Sequence, residues 1–138
     1  MIFAVLSGFA ASIFAPWVYR MNGRLAGWLF AAVPFGLAIY FAVFIPAIAS
    51  GNVFSLSYDW APTLAIRFSF LLDGLSLLFA ILISGVGVLV VIYSAVYLAG
   101  HPHLGRFYAY ILMFMGSMLG LVLADNLITL FVFWELTS

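Results

Sequence analysis

The sequence predicts an all-α integral membrane protein with four full transmembrane helices, the first half of a fifth, and a short outer β-hairpin between helices two and three. Composition is the first reason. Of the 138 residues, 68% are hydrophobic and 6% are charged, whereas soluble domains carry roughly 25% charged residues. Long uncharged runs are the second reason, and an alternating pattern after residue 50 is the third.

The uncharged runs place the helices and divide the chain. Four runs approach or reach the roughly 17 to 25 residues that a helix needs to cross about 30 Å of hydrocarbon; they are 2–19, 25–49, 75–98 and 107–124. A fifth run begins at Asn126, is too short to cross, and is predicted to be a helix cut in half. The predicted parts are helices one and two in 1–49, the hairpin in 50–72, and helices three to five in 73–138.

Prolines and glycines within these runs predict local features of the helices. Kinks or helix ends are expected in helices one and two at Pro16, Pro34 and Pro46. Glycines in helices three and four indicate close contacts between helices, with simple tolerance of glycine in lipid as the alternative. They are Gly85, Gly87, Gly116 and Gly120.

The connection between helices two and three alternates large apolar with smaller or polar residues, in the segments FSLSYDW and LAIRFSF. Period-two alternation is typical of half-buried strands. Pairing Trp60 with Leu64 collects the large apolar side chains on one face and places Asp59 diagonal to Arg67 on the other, where a weak ion pair is expected. The hairpin is expected to lie on the outer membrane surface, with its apolar face covered by helix ends or by a neighbouring subunit.

Arginine positions predict the orientation in the membrane. Arg20, Arg24 and Arg106 flank two loops on one side, and Arg67 alone lies on the other. Because cytoplasmic loops carry the arginine excess, the N-terminus is predicted to lie outside a bacterial inner membrane.

Several classes of function are not supported by the composition. A net charge of zero argues against a nucleic-acid partner. The absence of cysteine excludes disulfides, thiol catalysis and cysteine-ligated zinc. Two histidines without a nearby acid give no support for a metal site, and no cofactor is expected.

Four titratable residues have a simple structural interpretation. Asp73 and Asp125 directly precede predicted helices and are expected to be N-caps, with Asn126 as the alternative cap of helix five. His101 and His103 lie in a short loop, where a solvated position is favoured and proton entry at a cytoplasmic mouth is the alternative.

Glu135 lies inside the apolar fifth run and is the candidate proton-translocation residue. Counted from Asp125 it lies about 15 Å along the helix, near the bilayer centre, where an acid costs at least about 2.5 kcal/mol. A proton or cation relay is favoured over an acid that is merely ion-paired or held protonated. The sequence has no lysine and its four arginines lie at interfaces or in loops. A cation paired with Glu135 would therefore come from residues outside this chain.

The segments DGLSLLFA, RFYAY and DNLITLFVFWE resemble the N-terminal part of the antiporter-like subunits. This family includes the large A subunit of Mrp-type multisubunit Na⁺/H⁺ antiporters and chain 5 of complex I, and the ending FWELTS is more similar to the antiporter. The resemblance implies a larger helical fold with an outer hairpin. It also implies a glutamate in helix five, matched by Glu135, which relatives pair with a lysine on a later helix.

Three functions follow from the residues and the resemblance. The first is a secondary transporter subunit that exchanges protons for Na⁺ within a hetero-oligomeric complex. The second is a proton-pumping subunit of a complex I-type NADH:quinone oxidoreductase or a related membrane hydrogenase. The third is a truncated chain with no activity of its own. Expected partners are membrane lipid, H⁺ and Na⁺, the other subunits, and the remainder of the same protein.

Overall fold

The computed structural model describes residues 1–21, 23–61 and 66–138. In this part of the chain, helices flank one antiparallel pair of strands. The elements are α1 (Ile2–Met21), α2 (Gly23–Ala42), α3 (Ile45–Ala49), β1 (Phe54–Ala61), β2 (Ile66–Leu72), α4 (Gly74–Tyr97), α5 (Leu104–Val122) and α6 (Leu127–Glu135). Among the described residues, four segments are long and apolar enough to cross a membrane: α1, α2 together with α3, α4, and α5. The four predicted spans and the hairpin are therefore confirmed.

The second span is interrupted, and the position of the interruption fits the predicted kink or helix end at Pro46. Helix α2 ends at Ala42, Val43 and Phe44 form a turn, and α3 follows with Pro46 in its first turn. Proline is tolerated at the start of a helix because the N–H that it lacks has no partner there. Pro16 and Pro34, in contrast, lie inside continuous helices.

The four long helices form a ring in which α1 contacts α2 and α5, and α4 contacts the same two helices. The Met1 ammonium donates to Tyr40 Oη at 3.1 Å, near the end of α2. The start of α1 therefore lies at the end of the ring that carries β1 and β2, called here the hairpin end. Tyr19 Oη donates to the His101 carbonyl at 3.5 Å at the opposite end, called here the histidine end.

The helix glycines mostly mark close contacts, as predicted. A β-carbon added at Gly116 would approach the backbone of α1 to 3.1 Å, and one at Gly87 would approach a side chain of α5 to 3.1 Å. One added at Gly120 would overlap Phe133 of α6. The expectation for Gly85 is wrong, because no other element among the described residues comes within 4 Å of the position of such a β-carbon. The paired glycines of α5 thus contact two different helices.

The hairpin forms with a register offset by two residues from the predicted one. Asp59 lies directly opposite Arg67, and Arg67 Nε lies 2.8 Å from Asp59 Oδ1. Leu64, the expected partner of Trp60, lies outside the described residues. Since side chains alternate with a period of two, an offset of two keeps residues 54–59 and their partners on the predicted faces, and an irregularity between Asp59 and Ala61 then shifts the register. The ion pair is confirmed, but both side chains are largely exposed, so it contributes about 1 kcal/mol at most.

Candidate functional site

The helix that carries Glu135 begins at Asn126. The Asn126 backbone is extended, with φ −136° and ψ 160°, and its side chain accepts a hydrogen bond from Thr129 N at 2.8 Å. An extended residue with a side-chain acceptor is a standard N-cap. Of the two candidate caps, Asn126 is therefore the cap of α6, and the prediction for Asp125 is wrong.

Asp125 instead binds the hairpin. Its carboxylate Oδ2 accepts from Ser69 Oγ at 2.7 Å, and its backbone N–H donates to the Ser69 carbonyl at 2.9 Å. One step further along, Leu71 N donates to the Leu123 carbonyl at 2.8 Å. The link between α5 and α6 thus pairs with the edge of β2 like a short third strand, and it satisfies backbone groups that an open edge leaves unpaired.

The first turn of α6 extends this contact. Thr129 is fully buried, and its Oγ1 accepts from Ser69 N at 3.1 Å and lies 3.5 Å from the Arg67 carbonyl oxygen. Asn126 Nδ2 donates to the same Arg67 carbonyl at 2.9 Å. We call the side chains of Ser69, Asp125, Asn126 and Thr129, with the Arg67 carbonyl, the α6–β2 clamp.

Sequence reasoning missed Ser69 and Thr129 as members of this site. Ser69 was expected on the polar face of a strand, and Thr129 occurs in an apolar run with no distinguishing motif. A threonine three residues after an Asn cap is the available signal, but the partner of its hydroxyl depends on how the hairpin docks.

Glu135 is the last residue of α6 and its side chain is exposed in this chain. It lies about 12 Å along the axis from Leu127, at 1.5 Å per residue, slightly less than the distance predicted from an earlier start. The buried residues of α6 are Thr129 and Phe133. Glu135 follows Phe133 by two positions, about 200° around the helix, and so faces away from α5.

No ion pair to Glu135 forms within residues 1–21, 23–61 and 66–138, where the salt bridge found is that between Asp59 and Arg67. The surface around Glu135 is apolar, since Phe131 and Trp134 on the same helix are both more than half exposed. An acid on an apolar face requires a partner or a proton when that face is covered. The same part of the chain has no group of three or more histidine, cysteine or acidic side chains arranged to hold a metal ion.

The two histidines lie at the opposite end of the ring from the start of α6. Their ring centroids are 5.8 Å apart, and His103 N donates to His101 Nδ1 at 3.3 Å. Both residues are exposed. The fold therefore does not bring them together with Glu135.

Asp73 caps α4 at the hairpin end. Its Oδ1 accepts from Ser76 N at 2.8 Å, and Ser76 Oγ accepts from Asp73 N at 2.8 Å, which is a reciprocal capping box. The hydrogen bonds from the Ser76 backbone and side chain lower the pKa of the Asp73 carboxyl. The role of Asp73 is to start α4 directly after β2.

Comparison with known families gives a consistent result. Residues 60–108 match the family described as NADH-ubiquinone oxidoreductase (complex I), chain 5 N-terminus. The chain is 47% identical over 137 residues to the A subunit of the Na⁺/H⁺ antiporter of Alkalihalophilus pseudofirmus, covering 98% of this chain and 17% of that protein. It is 46% identical over 136 residues to the A1 subunit of the Na⁺/H⁺ antiporter of Staphylococcus haemolyticus, with the same coverage. The chain thus spans 17% of the length of these relatives.

Solved structures share the fold. A chain of the Mrp complex from Dietzia sp. superposes with a TM-score of 0.82 at 38% identity, covering 96% of this chain and 14% of that one. A chain of the archaeal membrane-bound sulfane sulfur reductase superposes with a TM-score of 0.83 at 19% identity, covering 99% of this chain and 21% of that one. With the four apolar helices, the relatives indicate a multi-pass membrane protein. The resemblance predicted from the sequence is therefore confirmed: over nearly its whole length this chain is similar to the antiporter-like family that includes the large subunits of Mrp-type Na⁺/H⁺ antiporters.

Proposed function

We propose that this chain forms part of a cation/proton antiporter subunit in which Glu135 is the proton-relay carboxylate. The position of Glu135 is the observation that carries the proposal. Helix α5 is about 28 Å long and α6 runs back along it, so Glu135 lies near the middle of the span, on an apolar face that α5 does not cover. Acids at this depth are rare and functional as a rule.

The transported ions come from the relatives. The proteins to which the chain is 46–47% identical are named Na⁺/H⁺ antiporter subunits, which supports exchange of H⁺ for Na⁺ within a multisubunit complex. In this proposal the hairpin end and the N-terminus face outward from a bacterial inner membrane. Arg20 and Arg106, both at the histidine end, then face the cytoplasm, as the excess of positive residues requires. The histidine loop remains a proposed proton entry on that side.

The mechanism follows from the burial of a carboxylate. Covering the face of α6 with other helices desolvates Glu135 and raises its pKa, whereas a nearby cation lowers it. A conformational change that alters the distance to that cation makes the carboxylate bind or release a proton. Relatives in the antiporter-like family supply the cation from a lysine outside the part matched here, which fits the absence of lysine in this chain.

Substitution of Glu135 tests the proposal in the antiporter complex that contains this chain. In everted vesicles with a pH-sensitive dye, Glu135→Gln should reduce Na⁺-dependent proton flux by at least about a hundredfold, the usual contribution of a positioned proton-transfer group. Glu135→Asp should retain part of the flux, because it keeps the charge and shortens its reach. Asp59→Asn, in the exposed hairpin pair, is the matched control and should transport normally. Normal flux with Glu135→Gln, at normal levels of assembled complex, would exclude the relay role.

A second candidate is favoured by one observation, the family match to the chain 5 N-terminus of complex I. In that case the same helices would pump protons in a redox-driven complex. Proton flux that requires NADH rather than a Na⁺ gradient would select this candidate.

A further inference from the structure

Glu135 has no hydrogen bond of its side chain to another element within the described ranges, so the placement of α6 decides where its carboxylate lies. Two buried side chains attach α6 to its neighbours. Phe133 packs against Gly120 of α5 and lies with its ring centroid 6.0 Å from that of Phe70 in β2. Thr129 belongs to the α6–β2 clamp. Helix α6 is therefore held by one apolar contact and one polar contact.

These two contacts constrain the helix differently. Apolar attraction is non-directional, so packing around Phe133 resists separation more than rotation or sliding. Hydrogen bonds weaken steeply when their angle changes, and a buried donor that loses its partner is costly. The clamp joins the side chains of Asp125, Asn126 and Thr129 to the Ser69 hydroxyl, the Arg67 carbonyl and the Ser69 N–H of β2, respectively, at distances of 2.7 to 3.1 Å. It therefore fixes both the rotation and the depth of α6.

Rotation and depth both matter for Glu135. The residue follows Thr129 by six positions, about 9 Å along the axis and about 240° around it. A slip of one residue would turn the carboxylate by about 100° and change its distance from any charge on the covering helices. The pH at which a carboxylate exchanges protons depends on that distance and on its desolvation.

We propose that Thr129, Asn126 and Ser69 are positioning residues for Glu135, and that the hairpin thereby sets the pH range of transport. This inference rests on the proposed relay role of Glu135 and adds a function for the hairpin within its own chain. Thr129 supplies the buried acceptor for Ser69 N. Asn126 uses its two side-chain atoms separately, Oδ1 to cap α6 and Nδ2 to bind the Arg67 carbonyl.

The dual use of Asn126 gives a substitution that separates the clamp from the cap. Asparagine and aspartate are about equally good N-caps, so Asn126→Asp keeps the start of α6. It removes the donor to the Arg67 carbonyl and places a carboxylate oxygen against it. Thr129→Val keeps the side-chain shape and removes the hydroxyl, whereas Thr129→Ser keeps the hydroxyl. Ser84→Ala is the matched control, because the buried Ser84 hydroxyl bonds within its own helix.

The test uses the assembled antiporter complex with two measurements across a range of pH. One is Na⁺-dependent proton flux in everted vesicles, and the other is the rate at which a carbodiimide modifies Glu135, followed by mass spectrometry. We expect Thr129→Val and Asn126→Asp to shift the midpoint of both pH profiles by about 0.5 unit or more. Both variants should also lower the flux at the original optimum pH about fivefold, which corresponds to about 1 kcal/mol. Ser69→Ala should shift them less, while Thr129→Ser and Ser84→Ala should follow the unmodified protein.

Each outcome bears on one of the two proposals. Unchanged pH profiles in Thr129→Val and Asn126→Asp, with flux falling only as far as the amount of assembled complex falls, would overturn the positioning role and leave a merely structural contact. If Glu135→Gln abolishes flux in the same experiment, the relay role stands even then. If the modification profile shifts in Thr129→Val while Glu135→Gln transports normally, the clamp positions Glu135, but the relay role fails and with it the claim that the hairpin sets the pH range of transport.

Discussion

The two ends of the helix ring each bury a hydroxyl, and the two hydroxyls have opposite surroundings. At the hairpin end, Thr129 lies fully buried within hydrogen-bonding distance of two backbone groups of β2. At the histidine end, Tyr108 is equally buried, but its hydroxyl has no hydrogen-bond partner among the residues that the structure describes. Tyr108 packs instead against the rings of Tyr19 and Phe30, with centroid distances of 6.3 and 5.3 Å. Burial alone therefore does not distinguish a directional contact from simple packing.

Helix starts show the same difference. Helix α4 begins at the hairpin end with the capping box of Asp73. Helix α5 begins at the histidine end, where His103 occupies the cap position and its side chain makes no cap hydrogen bond. Side-chain hydrogen bonds between elements are thus most numerous at the hairpin end, where α6 begins, whereas Tyr108 at the histidine end is held by aromatic packing. We expect the hairpin end to tolerate substitution less.

The largest effect is expected for Gly120→Val, which tests the close packing of the hairpin end. A β-carbon at Gly120 overlaps the ring of Phe133, which is 8% exposed and has little room to move. The free energy of unfolding should fall by about 3 kcal/mol or more, measured by tryptophan fluorescence of the purified protein in detergent during denaturation. Gly36→Ala is the control and should not destabilise the protein, because no other element in the described part of the chain comes within 4 Å of the added carbon. Unchanged stability of Gly120→Val would mean that α6 does not pack here.

A smaller effect is expected for Asp73→Ala, which removes the cap from the hairpin end. The loss should be about 1 kcal/mol of unfolding free energy, with Asp73→Asn close to the unmodified protein. Because the folded pKa of Asp73 lies below its ordinary value, the contribution is complete above about pH 3.9 and is lost as pH falls through the lowered pKa. In detergent, the difference in stability between Asp73→Ala and the unmodified protein should therefore stay constant from pH 7 to about pH 3.9 and narrow as the pH falls further toward the lowered pKa. A difference that does not narrow at any pH down to about 2 would contradict the carboxylate cap.

The smallest effect is expected for Tyr108→Phe at the histidine end. Removing a buried hydroxyl that has no hydrogen bond within the described ranges costs nothing in lost partners and relieves its desolvation. The free energy of unfolding should change by less than about 0.5 kcal/mol, or rise. Ser94 is the polar side chain next to the Tyr108 hydroxyl, and it should keep its own hydrogen bond to the Val91 carbonyl in the variant. Destabilisation by more than about 1 kcal/mol would show that Tyr108 has a polar partner and would remove the contrast between the two ends.

The sequence predicted the membrane spans, the hairpin and the faces of its strands because these depend on local periodicity. The spans follow from the length of the uncharged runs. The strand faces from Phe54 to Asp59 are as predicted, although the observed register differs by two residues from the predicted one and places Asp59 directly opposite Arg67 instead of diagonal to it. It also identified Glu135 as an unusual acid, because this residue is the single carboxylate in an otherwise apolar run. It did not predict that the residues after the break form a separate short helix, and its prediction of a close helix contact at Gly85 is wrong.

The sequence by itself determined the class of the protein and its four spans, and it singled out Glu135 as the candidate proton-relay residue. The tertiary structure alone decided how the helix that carries Glu135 is held. The docking of β2 onto the α5–α6 link joins residues about 60 positions apart. This docking decides whether Asp125 or Asn126 caps α6. It also decides whether Ser69 and Thr129 face lipid or each other. Such contacts leave no periodic signal in the chain, because hydrogen bonds between distant segments are set by the packing of whole helices rather than by neighbouring residues.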